Sequence, residues 1–383
     1  MNKTNMNIVI LIYSMHSGGA ERVTANLTNE WAKRGWQVTV ITLAPKSMDF
    51  YELHSDISRI ALDLAAESPS ILKAFFSNLH RMIAIRRELR RLSPDIVLAM
   101  MVDSSILAIL AGMRLGIPII GAEHTYPPMD PTKLIWDRIR RWTYPHAARV
   151  VMLTSEGLSW LNDKIPNVHG AVIPNPVLYP LAVFEPKLIV ESLVTADRKL
   201  LLAVGRMVES KQFDRLIEVF SMHVDLHQDW DLVILGDGPE RQALKSQVQA
   251  LGLKTRVHLP GQAGNMGDWY QRADLYVMSS RYEGFPNTLT EAMAHGCAAV
   301  SYDCDTGPRD IIRHGVDGLL VSPVGDVPAL AEALHQLMQD DEVRQRMRQR
   351  AIEVRERYSL KAILTLWDKL FNEAVSNLIT KKT

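Results

Sequence analysis

The stretch LYVMSSRYEGFPNTLTEAMAHG, residues 275–296, combines a short apolar run, a polar loop and a helical pattern. The apolar run predicts a buried strand, and a glycine and a proline in the loop disfavour an unbroken helix after it. Because proline fits the first turn of a helix better than its interior, we predict that a helix begins near Asn287. Glu291 would lie about one turn inside this helix, and the helix would point its free N–H groups and positive dipole end at the loop that carries Glu283. The stretch therefore predicts a site for an anion and a neighbouring group rich in hydroxyls.

Strands alternate with helices along the chain, which is typical of βαβ units and parallel sheets. The segment VIPNPVLYPLAVFEPKL, residues 172–188, contains four prolines without periodicity and indicates a linker. We predict two Rossmann-like, doubly wound α/β domains that face each other across a cleft, over residues 1–180 and 199–383, joined by a linker over 181–198. The second domain ends in helices, and the last helix could pack back on the first domain. The predicted strands are 7–13, 37–43, 96–101, 118–123 and 149–153 in the first half, and 199–204, 232–235, 256–259, 275–278 and 298–302 in the second.

Composition narrows the class of protein. The 383 residues are 47% hydrophobic and 22% charged, with a formal net charge of zero, which disfavours a globally basic nucleic-acid binder. Two cysteines indicate a reduced compartment rather than a disulfide scaffold. No stretch approaches the roughly 18–20 apolar residues of a membrane span, so we expect a cytoplasmic protein.

Charge is nevertheless uneven along the chain. Residues 71–150 carry twelve Lys and Arg against six Asp and Glu. A second basic segment, residues 133–149, adds the aromatic residues Trp136, Trp142 and Tyr144. Two interpretations are open for these basic segments, a solvated helix surface or docking on an anionic membrane surface. In residues 71–93, apolar residues recur at helical spacing, so we predict that they form one helix face and that the arginines lie mostly on another. The residues of the apolar face are Leu79, Met82, Ile83, Leu89 and Leu92.

Two loops carry residues suited to phosphate groups. Gly18 and Gly19 stand between the first strand and the first helix, where paired glycines allow close approach of a ligand and the helix N-terminus favours an anion. Arg206 and Lys211 follow the first strand of the second domain, and a guanidinium with an ammonium on one loop can clamp a diphosphate. Neither the glycine pair nor GDGPER, residues 236–241, matches the G-x-G-x-x-G fingerprint, which disfavours a dinucleotide-dependent dehydrogenase.

Several weak metal motifs are present, and we predict that none binds a metal. The D-x-D patterns at 303–305 and 229–231 arise often by chance. His223 and His227 are four residues apart on a helix but lack the glutamate and third ligand of a zinc site, so we predict that they lie on the surface. Cys297 lies in the small-residue segment HGCAAV and is predicted to pack in the core.

The segment SSRYEGFPNTLTEAMAHGCAAVSYDCDTGPRDIIRHGVDGLLV, residues 279–321, resembles the E-x7-E signature of retaining glycosyltransferase family 4, whose members have the GT-B fold. GGAERV, EHT, IPNPV, GRMVESKQFDRLIEVF, LGDGPER and VHLPGQ also occur in the order of that family, so the resemblance covers nearly the whole chain. The signature most resembles bacterial members that extend polyprenyl-diphosphate-linked oligosaccharides or surface polysaccharides. Asp310, where Glu is usual, and CAAV, in place of xPVV, depart from the pattern and leave the donor open.

The resemblance implies roles for residues of the second domain, which would bind the nucleotide sugar. Glu291 would hold the ribose hydroxyls and Glu283 would face the donor sugar. Arg206 and Lys211 would neutralise the diphosphate as it leaves. The N–H groups that would bind the distal phosphate are those of Asn287, Thr288 and Leu289.

The resemblance implies further roles around the nucleotide and in the first domain, which would bind the acceptor. Gly261 and Gln262 would border the base. Gly18 and Gly19 would let the first domain close over the donor. His124 would reach the sugar–phosphate region from that domain.

The function implied is retaining transfer of a hexose or N-acetylhexosamine to a lipid-linked saccharide in polysaccharide, O-antigen, lipopolysaccharide or other glycan biosynthesis. UDP is the expected nucleotide, and galactose, N-acetylgalactosamine and glucose are open as donor sugars. No metal cofactor is expected, because Arg206 and Lys211 would take its role. The expected location is the cytoplasm, on the inner face of the cytoplasmic membrane. Two alternatives are a nucleotide-sugar epimerase with the same fold and a catalytically silent assembly subunit.

Overall fold

In a computed structural model, which describes residues 5–65, 71–128 and 134–380, the chain divides into two compact units. Unit 1 comprises Met1–Pro176 and Leu360–Thr383, and unit 2 comprises Val177–Ser359. Each unit is built on one parallel sheet with its helices in the crossover connections. The predicted class, two Rossmann-like α/β halves, is confirmed.

The sheet of unit 1 has the strand order β3-β2-β1-β4-β5-β6-β7, with all neighbours parallel. Ile8 and Ile10 enter one apolar cluster and Val9 and Leu11 enter another, because successive side chains of a strand point to opposite faces. Both faces of the sheet are therefore buried. The strands are β1 (Asn7–Ile12), β2 (Gln37–Thr42), β3 (Ser58–Ala61), β4 (Ile96–Met100), β5 (Ile119–Ala122), β6 (Arg149–Met152) and β7 (Gly170–Val172). The helices between them are α1 (Gly19–Lys33), α2 (Ile71–Leu92), α3 (Val102–Gly112), α4 (Leu134–Thr143) and α5 (Ser155–Lys164).

The sheet of unit 2 has the strand order β10-β9-β8-β11-β12-β13, again parallel throughout. Apolar residues of β8, β9 and β11 pack against α6 and α11 in one buried cluster. The strands are β8 (Lys199–Val204), β9 (Trp230–Leu235), β10 (Val257–Gly261), β11 (Leu275–Met278), β12 (Ala299–Tyr302) and β13 (Gly318–Val321). The helices are α6 (Phe213–His223), α7 (Arg241–Ala250), α8 (Met266–Arg272), α9 (Asn287–Ala294), α10 (Pro308–Ile311), α11 (Val327–Gln339), α12 (Asp341–Ala351) and α13 (Val354–Arg357).

The predicted strands are all present within one or two residues, whereas β3, β7 and β13 were not predicted. These three have four residues or fewer and lie at edges of their sheets. The predicted start of a helix at Asn287 is confirmed by α9.

The last helix, α14 (Leu360–Thr380), follows the second domain in the chain but lies in unit 1, which is the packing on the first domain that the sequence left open. Trp367 and Phe371 are buried in the core of unit 1, and the Phe371 ring lies 5.4 Å from that of Trp31. The segment predicted as a linker, 181–198, belongs to unit 2, where the Phe184 N–H donates to the Gly264 carbonyl at 3.0 Å. Chain order could not show which core an amphipathic helix enters.

The two longest helices of the described chain are α2 and α14, with 22 and 21 residues. Neither these nor the other helices within 5–65, 71–128 and 134–380 combine the length and apolar character needed to cross a membrane.

Candidate active site

The strand order of unit 2 reverses between β8 and β11, and the predicted catalytic residues of this unit lie at that switch point. In open parallel sheets, ligands bind at such points, outside the carboxyl ends of the strands. The loop after β8 contains Arg206 and Lys211, and the loop after β11 contains Glu283. The Arg281 N–H donates to the Ser210 carbonyl at 2.8 Å and so joins the two loops.

Lys211 and Glu283 form an ion pair between these loops. The Lys211 ammonium is bound to Glu283 Oε1, and the Ser280 hydroxyl donates to the same oxygen at 2.6 Å. The Thr306 hydroxyl donates to the Glu283 carbonyl, and the Ser279 hydroxyl donates to the Lys211 carbonyl at 2.7 Å. The structure thus brings together two of the predicted site residues and fixes their backbones as well as their side chains.

Arg206 lies on the same loop and makes no ion pair with the described residues. The Lys211 side chain runs across Gly205, where an added Cβ would lie 3.4 Å from Lys211 Cε. Arg206 is the next residue, and its side chain is exposed. The predicted clamp therefore contains one cation held by a carboxylate and one that faces solvent.

Glycines of GDGPER have a structural role that the sequence reasoning missed. At Gly236, whose φ is +134°, an added Cβ would lie 1.9 Å from the Gly205 carbonyl oxygen. At Gly238 it would lie 2.3 Å from the Met207 carbonyl oxygen. These glycines let the loop after β9 pack directly on the loop that carries the two cations. Paired glycines directly after a strand were the signal for this close approach.

The helix α9 begins beside Glu283 and carries the residues predicted to bind phosphate. The N–H groups of Asn287 and Leu289 donate to carbonyls of the preceding loop at 2.9 and 3.1 Å. The Thr288 hydroxyl accepts a hydrogen bond from the Tyr276 hydroxyl at 2.9 Å. An anion at this end would have to share the two N–H groups in bifurcated bonds, which are common at helix termini. The phosphate role of these residues stays a prediction.

Glu291 is a buried carboxylate on α9, with a relative exposure of 5%. The Tyr270 hydroxyl donates to Glu291 Oε2 at 3.1 Å. His295 Nδ1 lies 2.8 Å from the Glu291 carbonyl oxygen, and since a carbonyl only accepts, this nitrogen carries the proton. Burial lowers the pKa of His295, which favours its neutral ring. The sequence reasoning missed both neighbours, although His295 follows Glu291 by four residues and so lies on the same helix face.

The residues predicted to border a base lie at the end of β10. Gly261 has a φ of +109°, which favours glycine, and its carbonyl accepts a hydrogen bond from the Gly236 N–H at 2.8 Å. Gln262 is exposed directly after it. This segment therefore adjoins the glycine loop, and contact with a base stays a prediction.

In unit 1, the predicted glycines follow β1, at the switch point between β1 and β4. Gly18 precedes α1, which begins at Gly19, and the Tyr51 hydroxyl donates to the Gly18 carbonyl at 3.1 Å. His124 follows β5 and is half-buried. Its Nε2 is enclosed and has no hydrogen-bond partner in the described part of the chain. Burial lowers the pKa of His124 to about 4, so the ring is neutral at pH 7.

A buried polar cluster lies beside His124. Glu123 accepts a hydrogen bond from the Tyr144 hydroxyl, and its Oε1 lies 3.4 Å from Arg140 Nε. Arg140 and Tyr144 come from the basic aromatic segment that was predicted as a surface, and their burial corrects that prediction. Trp142 of the same segment is exposed, and the side chain of Trp136 lies outside the described residues. A helical pattern cannot show which arginine meets a buried carboxylate of another element.

The exposed side of α2 differs from the predicted one. Leu79 and Ile83, predicted on the inner face, are exposed, and Phe76 has a relative exposure of 64%. At 100° per residue these three share a stripe with Arg87 and Arg90, which are also exposed. The buried side of α2 instead contains Ile85 and Leu89, with Met82 partly buried. Apolar residues cover most of the helix surface, so periodicity alone did not fix which side faces inward.

Three of the four carboxylates of the D-x-D patterns pair with basic side chains, and Asp229 does so with Lys199 at 3.1 Å. Asp303 pairs with Arg309 at 2.8 Å, and Asp231 is buried between Arg198 and Arg256. Within the described ranges, no group of three or more His, Cys, Asp or Glu side chains could hold a metal ion.

Two further predictions for single residues have different outcomes. Cys297 is buried and donates through its thiol to the Tyr270 carbonyl at 3.0 Å, so its predicted place in the core is confirmed. The predicted surface position is wrong for His227, which is buried and lies 2.8 Å from a nitrogen of His335.

Two protein-family models match the two parts of the chain. Residues 17–177 match Glycosyltransferase Family 4, and residues 185–354 match Glycosyl transferases group 1. Together the matches cover most of both units.

Curated relatives include enzymes of bacterial polysaccharide and glycan assembly. An exopolysaccharide phosphotransferase of Streptomyces coelicolor is 37% identical over 236 residues, which are 61% of this chain but only 24% of that protein. A protein of Campylobacter jejuni is 27% identical over 96% of this chain and 99% of its own length. Its name is GalNAc-alpha-(1->4)-GalNAc-alpha-(1->3)-diNAcBac-PP-undecaprenol alpha-1,4-N-acetyl-D-galactosaminyltransferase.

Solved structures show the same fold. Sucrose-phosphate synthase from Thermosynechococcus elongatus has a TM-score of 0.82 at 19% identity, with 97% of this chain and 100% of that chain covered. The Anabaena protein HepE, solved in complex with UDP, has a TM-score of 0.77 at 17% identity, with 96% and 100% covered. The chain therefore has the GT-B fold and belongs to the glycosyltransferases whose two halves are described by Glycosyltransferase Family 4 and Glycosyl transferases group 1.

Proposed function

We propose that this protein is a retaining glycosyltransferase that moves a hexose or N-acetylhexosamine from a UDP-linked donor to a lipid-linked saccharide. The observation that carries the proposal is the Lys211–Glu283 ion pair at a sheet switch point, on the same loops as Arg206 and α9. Two similar proteins support the substrate classes. HepE was solved with UDP, and the Campylobacter relative is named for a saccharide on PP-undecaprenol. The product would enter a polysaccharide, O-antigen or other glycan.

The charges at the switch point suit the departure of a nucleoside diphosphate. When the bond from the anomeric carbon to the phosphate oxygen breaks, negative charge develops on the phosphate and positive character on the sugar. Lys211 is already held in place, and Arg206 adds a second cation on the same loop. Fixed charges need little reorganisation as the leaving group forms, and losing one such group typically costs about 3–4 kcal/mol of transition-state stabilisation.

Retention follows if the acceptor hydroxyl approaches on the face that the phosphate leaves. The new bond joins the acceptor oxygen to the anomeric carbon, and the acceptor's proton passes to the departing phosphate oxygen. No protein base is then required. In the described chain, Lys211 and Ser280 both bind Oε1 of Glu283 and no hydrogen bond is made to Oε2, so we assign Oε2 to a hydroxyl of the donor sugar. We assign the Glu291 carboxylate to the ribose hydroxyls.

We further propose that transfer needs no metal ion, because two basic side chains serve the diphosphate. Activity should persist in excess chelator. Loss of activity that Mn²⁺ restores would contradict this proposal. Asp305, the second carboxylate of the D-x-D pattern at 303–305, would then be the candidate metal ligand.

The donor proposal is tested with a panel of nucleotide sugars. Thermal stabilisation and slow hydrolysis identify the donor, and transfer to a polyprenyl-diphosphate-linked saccharide is then followed by mass spectrometry, with NMR for the anomeric configuration. We expect an α-linked product from one UDP-sugar, and we expect Glu291→Gln to weaken donor use while the exposed control Glu332→Gln does not. An inverted product would rule out retention. Conversion of the donor into an isomeric nucleotide sugar, without an acceptor and without release of UDP, would indicate an epimerase instead.

We also propose that unit 1 docks on an anionic membrane surface through the stripe Phe76, Leu79, Ile83, Arg87 and Arg90 of α2. Apolar side chains at one end and arginines at the other match an interface of acyl chains and acidic headgroups. A lipid-linked acceptor would be reached from such a surface.

Vesicle flotation tests this docking surface. We expect recovery on vesicles containing phosphatidylglycerol and little on pure phosphatidylcholine. Ile83→Ser and Arg87→Gln should each reduce recovery, whereas Leu226→Ser, which changes an exposed leucine of unit 2, should not. Equal recovery on both vesicle types would remove the electrostatic part of the proposal, and unchanged recovery of both α2 variants would remove the surface itself.

A further inference from the structure

Tyr270 is a buried residue of α8 whose hydroxyl meets the carboxylate of Glu291. The hydroxyl donates to Oε2 at 3.1 Å, and both residues are buried, Tyr270 completely. A buried carboxylate is stable only when hydrogen bonds replace its lost hydration. This hydrogen bond therefore both satisfies the buried carboxylate of Glu291 and helps to direct its side chain.

The Tyr270 ring is fixed by its neighbours. The ring of Tyr276 lies 6.2 Å away in an edge-to-face arrangement, and that of His295 lies 5.5 Å away. The Tyr270 carbonyl accepts the Cys297 thiol at 3.0 Å. With its ring and backbone both held, the tyrosine presents its hydroxyl in one direction only.

Contacts with His295 also fix the helix that carries Glu291. His295 Nδ1 donates to the Glu291 carbonyl at 2.8 Å, and its ring lies 4.9 Å from that of Tyr179. The next turn is held by Arg355, whose Nε donates to the Ala294 carbonyl at 2.6 Å. The Glu291 backbone is thus anchored, and contacts of its side chain, among them the Tyr270 hydroxyl, set the direction of its carboxylate.

We propose that Tyr270 is a positioning residue, whose hydroxyl sets the orientation in which the Glu291 carboxylate receives the two ribose hydroxyls of the donor. This inference rests on the proposed function, because it takes Glu291 as the ribose-binding residue. Two hydrogen bonds to neighbouring hydroxyls require one particular orientation of the carboxylate, and a freely rotating side chain would lose part of the binding free energy in becoming ordered.

The test uses Tyr270→Phe, which removes one oxygen and keeps the ring. A hydrogen bond to a charged group is typically worth enough for about a tenfold change in affinity, so we expect the Kd for UDP to rise about tenfold. The Kd for 2′-deoxy-UDP should change little. The ratio of the Kd for 2′-deoxy-UDP to the Kd for UDP should therefore fall. In transfer assays, KM for the donor should rise more than kcat falls.

The matched control is Tyr302→Phe. Tyr302 is also buried in unit 2, and its hydroxyl also makes one hydrogen bond, to the Asp326 carbonyl at 3.0 Å. A loss of stability common to buried tyrosines would affect both variants in thermal unfolding. Only Tyr270→Phe should alter discrimination against 2′-deoxy-UDP.

Glu291→Gln and the double variant separate this inference from the proposed function. If Tyr270 acts through the carboxylate, Tyr270→Phe should have little further effect in the Glu291→Gln background. An equal loss of UDP affinity in both backgrounds would show a purely structural role and overturn the inference. If Glu291→Gln binds UDP and 2′-deoxy-UDP as the natural protein does, the ribose assignment fails and the inference fails with it. If Glu291→Gln weakens UDP binding but Tyr270→Phe does not, only the positioning role fails.

Discussion

The sheets of the two units share one order over six strands, to which unit 1 adds β7, but the predicted site residues at their switch points differ. In unit 2 the loops after β8 and β11 carry Arg206, Lys211 and Glu283, and the last two form an ion pair. In unit 1 the corresponding region after β1 carries Gly18 and Gly19, and no acidic or basic group among the predicted site residues. The fold supplies the location of a site, and the side chains supply its chemistry.

His124 extends this contrast. It is the one ionisable residue predicted to act from unit 1, and burial keeps it neutral at pH 7 by lowering its pKa to about 4. Cations on the loops of unit 2 suit a diphosphate, whereas a neutral imidazole such as that of His124 suits a hydrogen bond to a sugar hydroxyl. The contrast therefore supports the proposed function.

The largest expected effect comes from removing the fixed cation of unit 2. Lys211→Met should lower kcat by about 100- to 1,000-fold, because one preorganised group that stabilises the leaving charge is lost. The measurement is the rate of transfer with saturating donor. The exposed Lys245→Met is the control and should retain full activity.

Lys211→Met also leaves Glu283 without its cation, so the double variant with Glu283→Gln separates charge imbalance from lost catalysis. If the double variant regains the natural rate, the cation has no catalytic role and the contrast between the units loses its functional meaning.

The next largest effect is on stability, and it differs between one glycine of each unit. In Gly236→Ala, the positive φ and a backbone oxygen at 1.9 Å from the new Cβ oppose the substitution, and we expect a loss of at least about 2 kcal/mol in the free energy of unfolding. In Gly18→Ala the new Cβ meets only the carboxylate end of Glu21, which can rotate away. We expect its stability to change by less than about 0.5 kcal/mol, with a higher KM for the donor.

Scanning calorimetry and donor kinetics measure these two effects. Gly267→Ala, where the nearest atom to the new Cβ is 3.5 Å away, is the control for both glycines. Similar stability losses for Gly18→Ala and Gly236→Ala would show that the two loops are packed alike and would weaken the comparison.

The smallest effect concerns His124 and pH. Unfolded chain takes up a proton at this histidine near its ordinary pKa of 6.5, whereas the folded protein does so only near 4. Between these values the unfolded state binds more protons, so the free energy of unfolding falls as the pH falls through this window. His124→Gln should therefore lose less stability than the natural protein between pH 7 and about pH 4.5.

Chemical denaturation at several pH values measures this difference, with the exposed His16→Gln as the control. NMR titration of the His124 ring gives its pKa directly. Protonation near pH 6.5 would show that the ring is solvated and would remove the contrast between a neutral His124 and the charged loops of unit 2.

Local patterns predicted most of the architecture. The apolar run 275–278 and the proline before Asn287 located a strand and a helix start because both depend on neighbouring residues only. Lys211 and Glu283 were each predicted in a loop after a strand, but their place in one site came from the family resemblance, because they are 72 positions apart.

Other features depend on elements that are distant in sequence. Tyr270 meets Glu291 across two different helices, and no spacing rule connects positions on α8 and α9. Arg140 was assigned to a surface because its neighbours are basic. It is instead buried, because its guanidinium pairs with the carboxylate of Glu123, from another part of the chain. The exposed side of α2 depends likewise on which face its unit leaves uncovered.

The final helix has a consequence for how the protein is made. Synthesis proceeds from the amino end, so residues 1–176 leave the ribosome long before α14 does, yet Trp367 and Phe371 complete their core. Unit 2 is a single uninterrupted segment and can fold as soon as it emerges. Unit 1 must therefore wait, with an apolar surface uncovered until α14 has emerged.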